Sequence, residues 1–221
     1  MTNILLNNYA LDASWCFDIL RQHIKPASKV LVLPFSFHEE VVRSAKDVER
    51  YYEKYGKYYE AIVSPLLNFG IKEEDISIVN YYATDYEELS NQIKNSDIIY
   101  FTEGLPDKMM ERIDKLGVKE ELLAYTNVVI GCSAGAMVQL ERYHITPDED
   151  YSEYCYGTGI GYANDFDIEV HYDCSYAKKM SIRRALMEEE KNIYALGNEG
   201  GLIIEDNKVE PIGHVTLFEG K

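Results

Sequence analysis

Gly131-Cys132-Ser133-Ala134-Gly135-Ala136 follows Thr126-Asn127-Val128-Val129-Ile130 directly, and together the two stretches could make a nucleophile. A short β-branched run reads as a buried strand. The small residues after it allow a sharp turn into a helix through Met137-Val138-Gln139-Leu140. G-x-S-x-G between a strand and a helix is the context of a nucleophile elbow, where a strained turn exposes a serine hydroxyl at the positive end of the new helix. Ser133 is therefore the candidate nucleophile. Turns of this composition also pack or bind anions in many α/β proteins. The decision rests on whether the chain supplies a base, a residue to orient it and an oxyanion hole.

A serine needs a base within hydrogen-bond reach, and histidine is the usual one at neutral pH. Five histidines are available: His23 in a helix-like N-terminal segment, His38 after the first central strand, His144 in a polar stretch, His214 in a turn, and His171. The last ends Phe166-Asp167-Ile168-Glu169-Val170, where a strand hands over to a loop. Ligands and catalytic groups gather at such strand ends. Position favours His171 modestly, and each histidine read alone is equally a surface or core residue. An orienting acid is harder to choose among 38. Glu199, in Leu196-Gly197-Asn198-Glu199-Gly200-Gly201, reads as an acid on a tight glycine-wrapped loop at a strand end. The oxyanion hole needs backbone N–H groups aimed at one point. Ala134 supplies one, and Gly104 of Thr102-Glu103-Gly104-Leu105-Pro106 either supplies another or is a plain turn glycine.

These residues need a scaffold, and the chain reads as alternating strands and helices, the pattern of a mainly parallel sheet. Strands are expected over 29–34, 75–80, 97–101, 126–130, 166–170, 202–204 and 215–218. Helices are expected from about 38 to 68, through Glu87-Glu88-Leu89, over 109–115, after the elbow, and over 177–191. Asp148-Glu149-Asp150-Tyr151-Ser152 reads as an acidic connector and 157–161 as turns. The expected fold is a single three-layer α/β domain spanning 1–221, with helices on both faces of the sheet.

Composition narrows the function. A formal net charge of −16, with 22 Lys and Arg against 38 Asp and Glu, excludes the basic stripe that nucleic acid requires. An acidic ligand would need local Lys or Arg to overcome that field. No apolar run approaches the ~20 residues of a membrane helix. Residues 1–7 lack a basic region and a cleavage site, so a soluble cytoplasmic protein is expected. Cys16, Cys132, Cys155 and Cys174 have no metal or disulfide spacing, and no dinucleotide fingerprint points to a cofactor.

The spacing of these segments resembles the dipeptidase E and cyanophycinase group of serine peptidases, whose fold is similar to class I glutamine amidotransferase domains. The resemblance covers residues 30–218, and its most specific piece is the G-x-S-A-G-A elbow. It implies acyl transfer by Ser133 with His171 of Val170-His171-Tyr172 as base and Glu199 as the orienting acid, Asn198 being the neighbouring alternative. It implies Gly104 and Ala134 as oxyanion donors, although Glu103-Gly104-Leu105-Pro106 keeps only one glycine of the family's Gly-Gly-Asn-Thr-like loop. Family members that prefer an N-terminal aspartate hold it with a basic residue in the helix after the histidine. That helix carries Lys178, Lys179, Arg183 and Arg184 here, of which Lys179 and Arg183 are taken as the substrate contacts. The implied partner is a small peptide or isopeptide, and a two-fold homodimer is an expectation for small enzymes of this kind. Two other readings stand beside this one: a Cys132 nucleophile, with the elbow shifted by one residue, and a retired binding module that keeps the fold.

Overall fold

A computed structural model describes residues 1–220. Its aliphatic and β-branched runs form one eight-stranded sheet. The strands are β1 (Thr2–Leu6), β2 (Val30–Leu33), β3 (Ile76–Ile78), β4 (Ile98–Phe101), β5 (Val128–Cys132), β8 (Phe166–Glu169), β9 (Asn192–Glu205) and β10 (Lys208–Phe218). The order is β3-β2-β4-β5-β1-β9-β10, with β8 also paired to β9. Strand β1 runs parallel to β5 and antiparallel to β9, so it joins the parallel part of the sheet to the closing hairpin.

Strand alternation sorts the core into two layers. Leu5, Leu31, Leu33, Ile99, Phe101 and Val129 face one side. They pack under α4 (Tyr86–Lys94), α5 (Pro106–Leu116) and the one-turn α7 (Ala134–Met137) through Leu89, Ile93, Met109, Ile113 and Ala136. Ile4, Leu6, Val32, Tyr100, Ile130 and Cys132 face the other side, under α1 (Phe17–Leu20) and α3 (Lys57–Asn68). Each aliphatic side chain so buried contributes roughly 1.5–3 kcal/mol. The remaining elements are α2 (Ala45–Tyr51), α6 (Lys119–Leu123), a hairpin of β6 (Arg142–Ile145) and β7 (Cys155–Thr158), and α8 (Tyr176–Glu189). Ile182 and Ala185 of α8 pack on Ile193 and Ala195 of β9. No helix among the described residues is long and apolar enough to cross a membrane.

The three-layer α/β architecture matches the sequence expectation, and several elements differ. Strand β1 was not anticipated, because Thr2-Asn3-Ile4-Leu5-Leu6-Asn7 alternates no more clearly than a chain terminus. The helix expected over 38–68 is α2 and α3, interrupted where Tyr55 takes a left-handed φ of 67° and Gly56 caps α3. The glycine-rich 197–201 stretch lies inside the 14-residue β9, and not on a loop. His144 lies in β6.

Around the elbow the glycines are sterically required. A Cβ on Gly131 would lie 2.0 Å from the Gly135 carbonyl oxygen, and one on Gly135 would lie 2.3 Å from that of Phe101. Backbone atoms cannot yield as a flexible side chain does. Gly135→Ala is expected to lower stability by about 1–3 kcal/mol through overpacking, read from the urea midpoint.

Candidate active site

Ser133 is the residue at which β5 stops and α7 starts, and it holds φ 50° and ψ −112°. That conformation is costly for a residue with a Cβ and persists only where its surroundings impose it. Three bonds from β1 do so. The Ser133 N–H donates to the Leu6 carbonyl at 2.9 Å. The fully buried Gln139 side chain donates to the Ile4 carbonyl at 3.2 Å and accepts from Asn3 Nδ2 at 2.9 Å.

His171 follows β8 and also has a left-handed φ, 53°. Its N–H donates to Oδ1 of Asn7, a residue 1% exposed at the end of β1. The two strand ends bring Ser133 Oγ within 2.7 Å of His171 Nε2. Burial, and then the Lys178 charge, hold His171 below its ordinary pKa of 6.5. The ring is therefore neutral at pH 7 and its nitrogen can accept the serine proton.

Gly104 sits beside this pair with φ +132°, where a Cβ would lie 2.3 Å from the Ser36 carbonyl oxygen. Ser36 holds the loop: its carbonyl accepts from Leu105 N–H at 2.8 Å, and its hydroxyl lies 2.9 Å from Thr102 Oγ1. The N–H groups of Gly104 and Ala134 take no intramolecular hydrogen bond among the described residues. Ser133, His171, Gly104, Glu103, Tyr151 and Lys178 line a pocket of about 220 Å³.

Other expected residues lie elsewhere. The Glu199 side chain is 59% exposed and points to His214 Nδ1 at 3.8 Å. It makes no hydrogen bond to His171, because β9 continues as a strand where a loop was expected. Asn198 is exposed, and its carbonyl accepts from Asn8 Nδ2. The carboxylates that act on His171 are Glu169 and Asp148. Lys179 and Arg183 are exposed on α8, off the face that carries buried Ser181, Ile182 and Ala185, while Lys178 enters the pocket. Cys132 is completely buried on the opposite side of the sheet, 3.5 Å from the Tyr100 hydroxyl. Burial pushes its thiol well above the ordinary value, which disfavours the thiolate that a cysteine nucleophile needs.

Behind the pocket lies a buried chain of charges that sequence reasoning missed. His144 Nδ1 donates to Asp167 at 2.6 Å and its Nε2 to Glu169 at 2.9 Å. Thr146 Oγ1 also donates to Glu169. Lys178 Nζ donates to Glu169 Oε1 at 2.6 Å and to the Val170 carbonyl at 2.8 Å. Burial alone would discharge His144, but the two carboxylates outweigh it and raise the ring to about 10. Glu169 is likewise held below its ordinary value despite burial, by His144 and Lys178. The signal was present in Phe166-Asp167-Ile168-Glu169-Val170, where two acids alternate with apolar residues in a strand that is buried throughout.

His144 is charged when folded up to about pH 10 and only up to about 6.5 when unfolded. Its stabilisation is therefore complete below pH 6.5 and is lost as pH rises through 10. Urea unfolding should show stability falling across that window. His144→Gln should flatten the fall and cost about 3–5 kcal/mol at pH 7, since two carboxylates then lose their buried partner.

The model of Peptidase family S51 matches residues 45–212. No curated protein matches the chain. Among solved structures, a protein described as a candidate peptidase E from Listeria monocytogenes EGD-e is similar at TM-score 0.65 and 17% identity, covering 95% of this chain and 96% of that one. A peptidase from an acI-B1 Actinobacterium is similar at TM-score 0.66 and 12% identity, covering 99% and 94%. At these identities the structures speak for the fold, and the family model for descent. The chain belongs to peptidase family S51, the dipeptidase E family of serine peptidases.

Proposed function

We propose that the protein hydrolyses small peptides with an acidic residue at the scissile bond, through a Ser133–His171 pair. The observation that carries this reading is the 2.7 Å contact between Ser133 Oγ, on a strained elbow, and His171 Nε2. As Ser133 Oγ attacks the scissile carbonyl, His171 takes its proton. Negative charge then develops on the carbonyl oxygen, and the free N–H groups of Gly104 and Ala134 are the donors for it. His171 returns the proton to the leaving amine, and water activated by the same ring releases the acyl group. Asn7 fixes the backbone of the histidine by accepting its N–H, and Glu199, assigned on sequence grounds to hold the ring, lies away from it.

Pocket size and charge support the substrate class. About 220 Å³ is below the ~300–1,000 Å³ of clefts for drug-sized ligands, which suits a dipeptide better than a protein chain. Lys178 has three N–H donors. Two are used by Glu169 and Val170, which leaves one for a substrate carboxylate. Glu169 is already shared with His144, so the lysine charge is not fully cancelled locally.

Kinetics on Asp-X and Leu-X dipeptides test this reading. Ser133→Ala should lower kcat by about 10⁴–10⁶-fold with folding intact. Lys178→Met should raise KM for Asp-X at least tenfold more than for Leu-X. It should also move the acid limb of kcat/KM to higher pH, because Lys178 helps to hold His171 below 6.5. Equal kinetics on the two substrates in the wild type would remove the specificity. Hydrolysis that survives Ser133→Ala would remove the mechanism, and no hydrolysis of any peptide would favour the binding-module reading.

A further inference from the structure

Strand β8 pairs with β9 only as far as Glu169 opposite Ala195, so the peptide group joining Val170 to His171 lies beyond the ladder. Val170 is buried, and buried peptide groups need partners. This one has a partner at each end. Its N–H, that of His171, donates to Asn7 Oδ1. Its carbonyl, that of Val170, accepts from Lys178 Nζ at 2.8 Å. The peptide is trans, so the two partners hold opposite edges of one rigid plane.

We propose that Lys178 is a positioning residue for His171: with Asn7 it clamps the Val170–His171 peptide, and Glu169, steadied by His144 and Thr146, aims it at that carbonyl. The proposal rests on Ser133 and His171 being the catalytic pair.

The placement of Lys178 supports this. It lies in the first turn of α8, where Ser175 caps the helix by accepting the Lys178 N–H. Unpaired backbone N–H groups make that end positive, so a cation there is disfavoured unless something else holds it. Glu169 Oε1 holds it, at 2.6 Å. Neutralising Glu169 needs only that bond. The second bond, to the carbonyl of the next residue, fixes backbone that no strand partner fixes.

The carboxylate supports it too. Glu169 Oε2 accepts from His144 Nε2 at 2.9 Å and from Thr146 Oγ1, which sets the rotation of the group and leaves Oε1 for the lysine. The Glu169 side chain is buried, so water does not compete for these bonds. Charge-assisted bonds of this kind are short and strong. Beyond the clamped peptide His171 takes a φ of 53°, a conformation that persists only where its surroundings impose it. Misplacing a catalytic group by about 1 Å can cost about 10²-fold in rate.

Lys178 also lines the pocket, so its hold on His171 must be read apart from any contact with substrate. A fluorophosphonate carries no carboxylate for the lysine, and its reaction with Ser133 depends on His171. The labelling rate is followed from pH 5 to 9. Removing the lysine charge moves the acid limb, because that charge helps to hold His171 below 6.5. Positioning is read from the alkaline plateau, where the ring is neutral with or without the lysine. Lys178→Met is expected to lower the plateau at least tenfold while remaining folded. A contact that serves stability alone would lower the thermal midpoint and leave the plateau of the folded protein unchanged. Adding Asn7→Leu should slow the plateau no more than about twofold beyond the slower single variant, since both release the same peptide. Thr146→Val keeps Lys178 but loosens Glu169, and should lower the plateau at least threefold; it carries the test if Lys178→Met does not fold. A wild-type plateau in either folded variant, or single effects that multiply in the double variant, would overturn the proposal. Wild-type protein that does not label at Ser133 would instead refute the catalytic pair on which it rests.

Discussion

Leu6 and Asn7, consecutive residues at the end of β1, each accept one hydrogen bond from the pair that faces the pocket. The Leu6 carbonyl takes the Ser133 N–H, and Asn7 Oδ1 takes the His171 N–H. Both donors belong to residues with positive φ, conformations that local sequence disfavours and only tertiary contact maintains. Strand β1 can do this because it lies between β5, which leads into the serine, and β9, whose first residues pair with β8, the strand that leads to the histidine. The 2.7 Å Ser133–His171 contact is thus a consequence of sheet register. A slip of one residue in β1 would exchange its faces and move both acceptors.

The electrostatics follow from the same strand ends. Strand β8 carries Asp167 and Glu169 inward, where unpaired carboxylates would be prohibitive. His144 from β6 and Lys178 from α8 neutralise them, so elements that follow the elbow in sequence are bound into one polar core. One end of that chain, Lys178, reaches the pocket and depresses the His171 pKa. A structural network and a functional charge are here the same set of atoms. The acidic connector near 150 is part of the arrangement too, since Asp148, Asp150 and Tyr151 line the pocket.

The elbow was legible because its demands are local: a strand, two glycines where no Cβ fits, and a serine between them. The parallel strands were legible for the same reason, each being a short apolar run bounded by polar residues. Strand β1 was not, since its role is defined by partners more than a hundred residues away. Glu199 was misplaced because glycines at 197, 200 and 201 read as a loop, whereas they accommodate close approach of β10 and β1 within a long strand. Lys178 was passed over for Lys179 and Arg183, and only the rotation of α8 against β9 separates them. Asn7 carried no sequence signal at all. Its function is a single acceptor atom aimed at a backbone N–H, which no spacing rule encodes.

The most direct measurement is the rate at which a fluorophosphonate labels Ser133, followed by mass spectrometry, in the wild type and in Asn7→Leu. The wild type should label at Ser133 and nowhere else. Asn7→Leu should keep its fold but label at least tenfold more slowly, because His171 is no longer held at the serine. Folded wild-type protein that does not label at Ser133, or an Asn7→Leu protein that labels at the wild-type rate, would contradict the account.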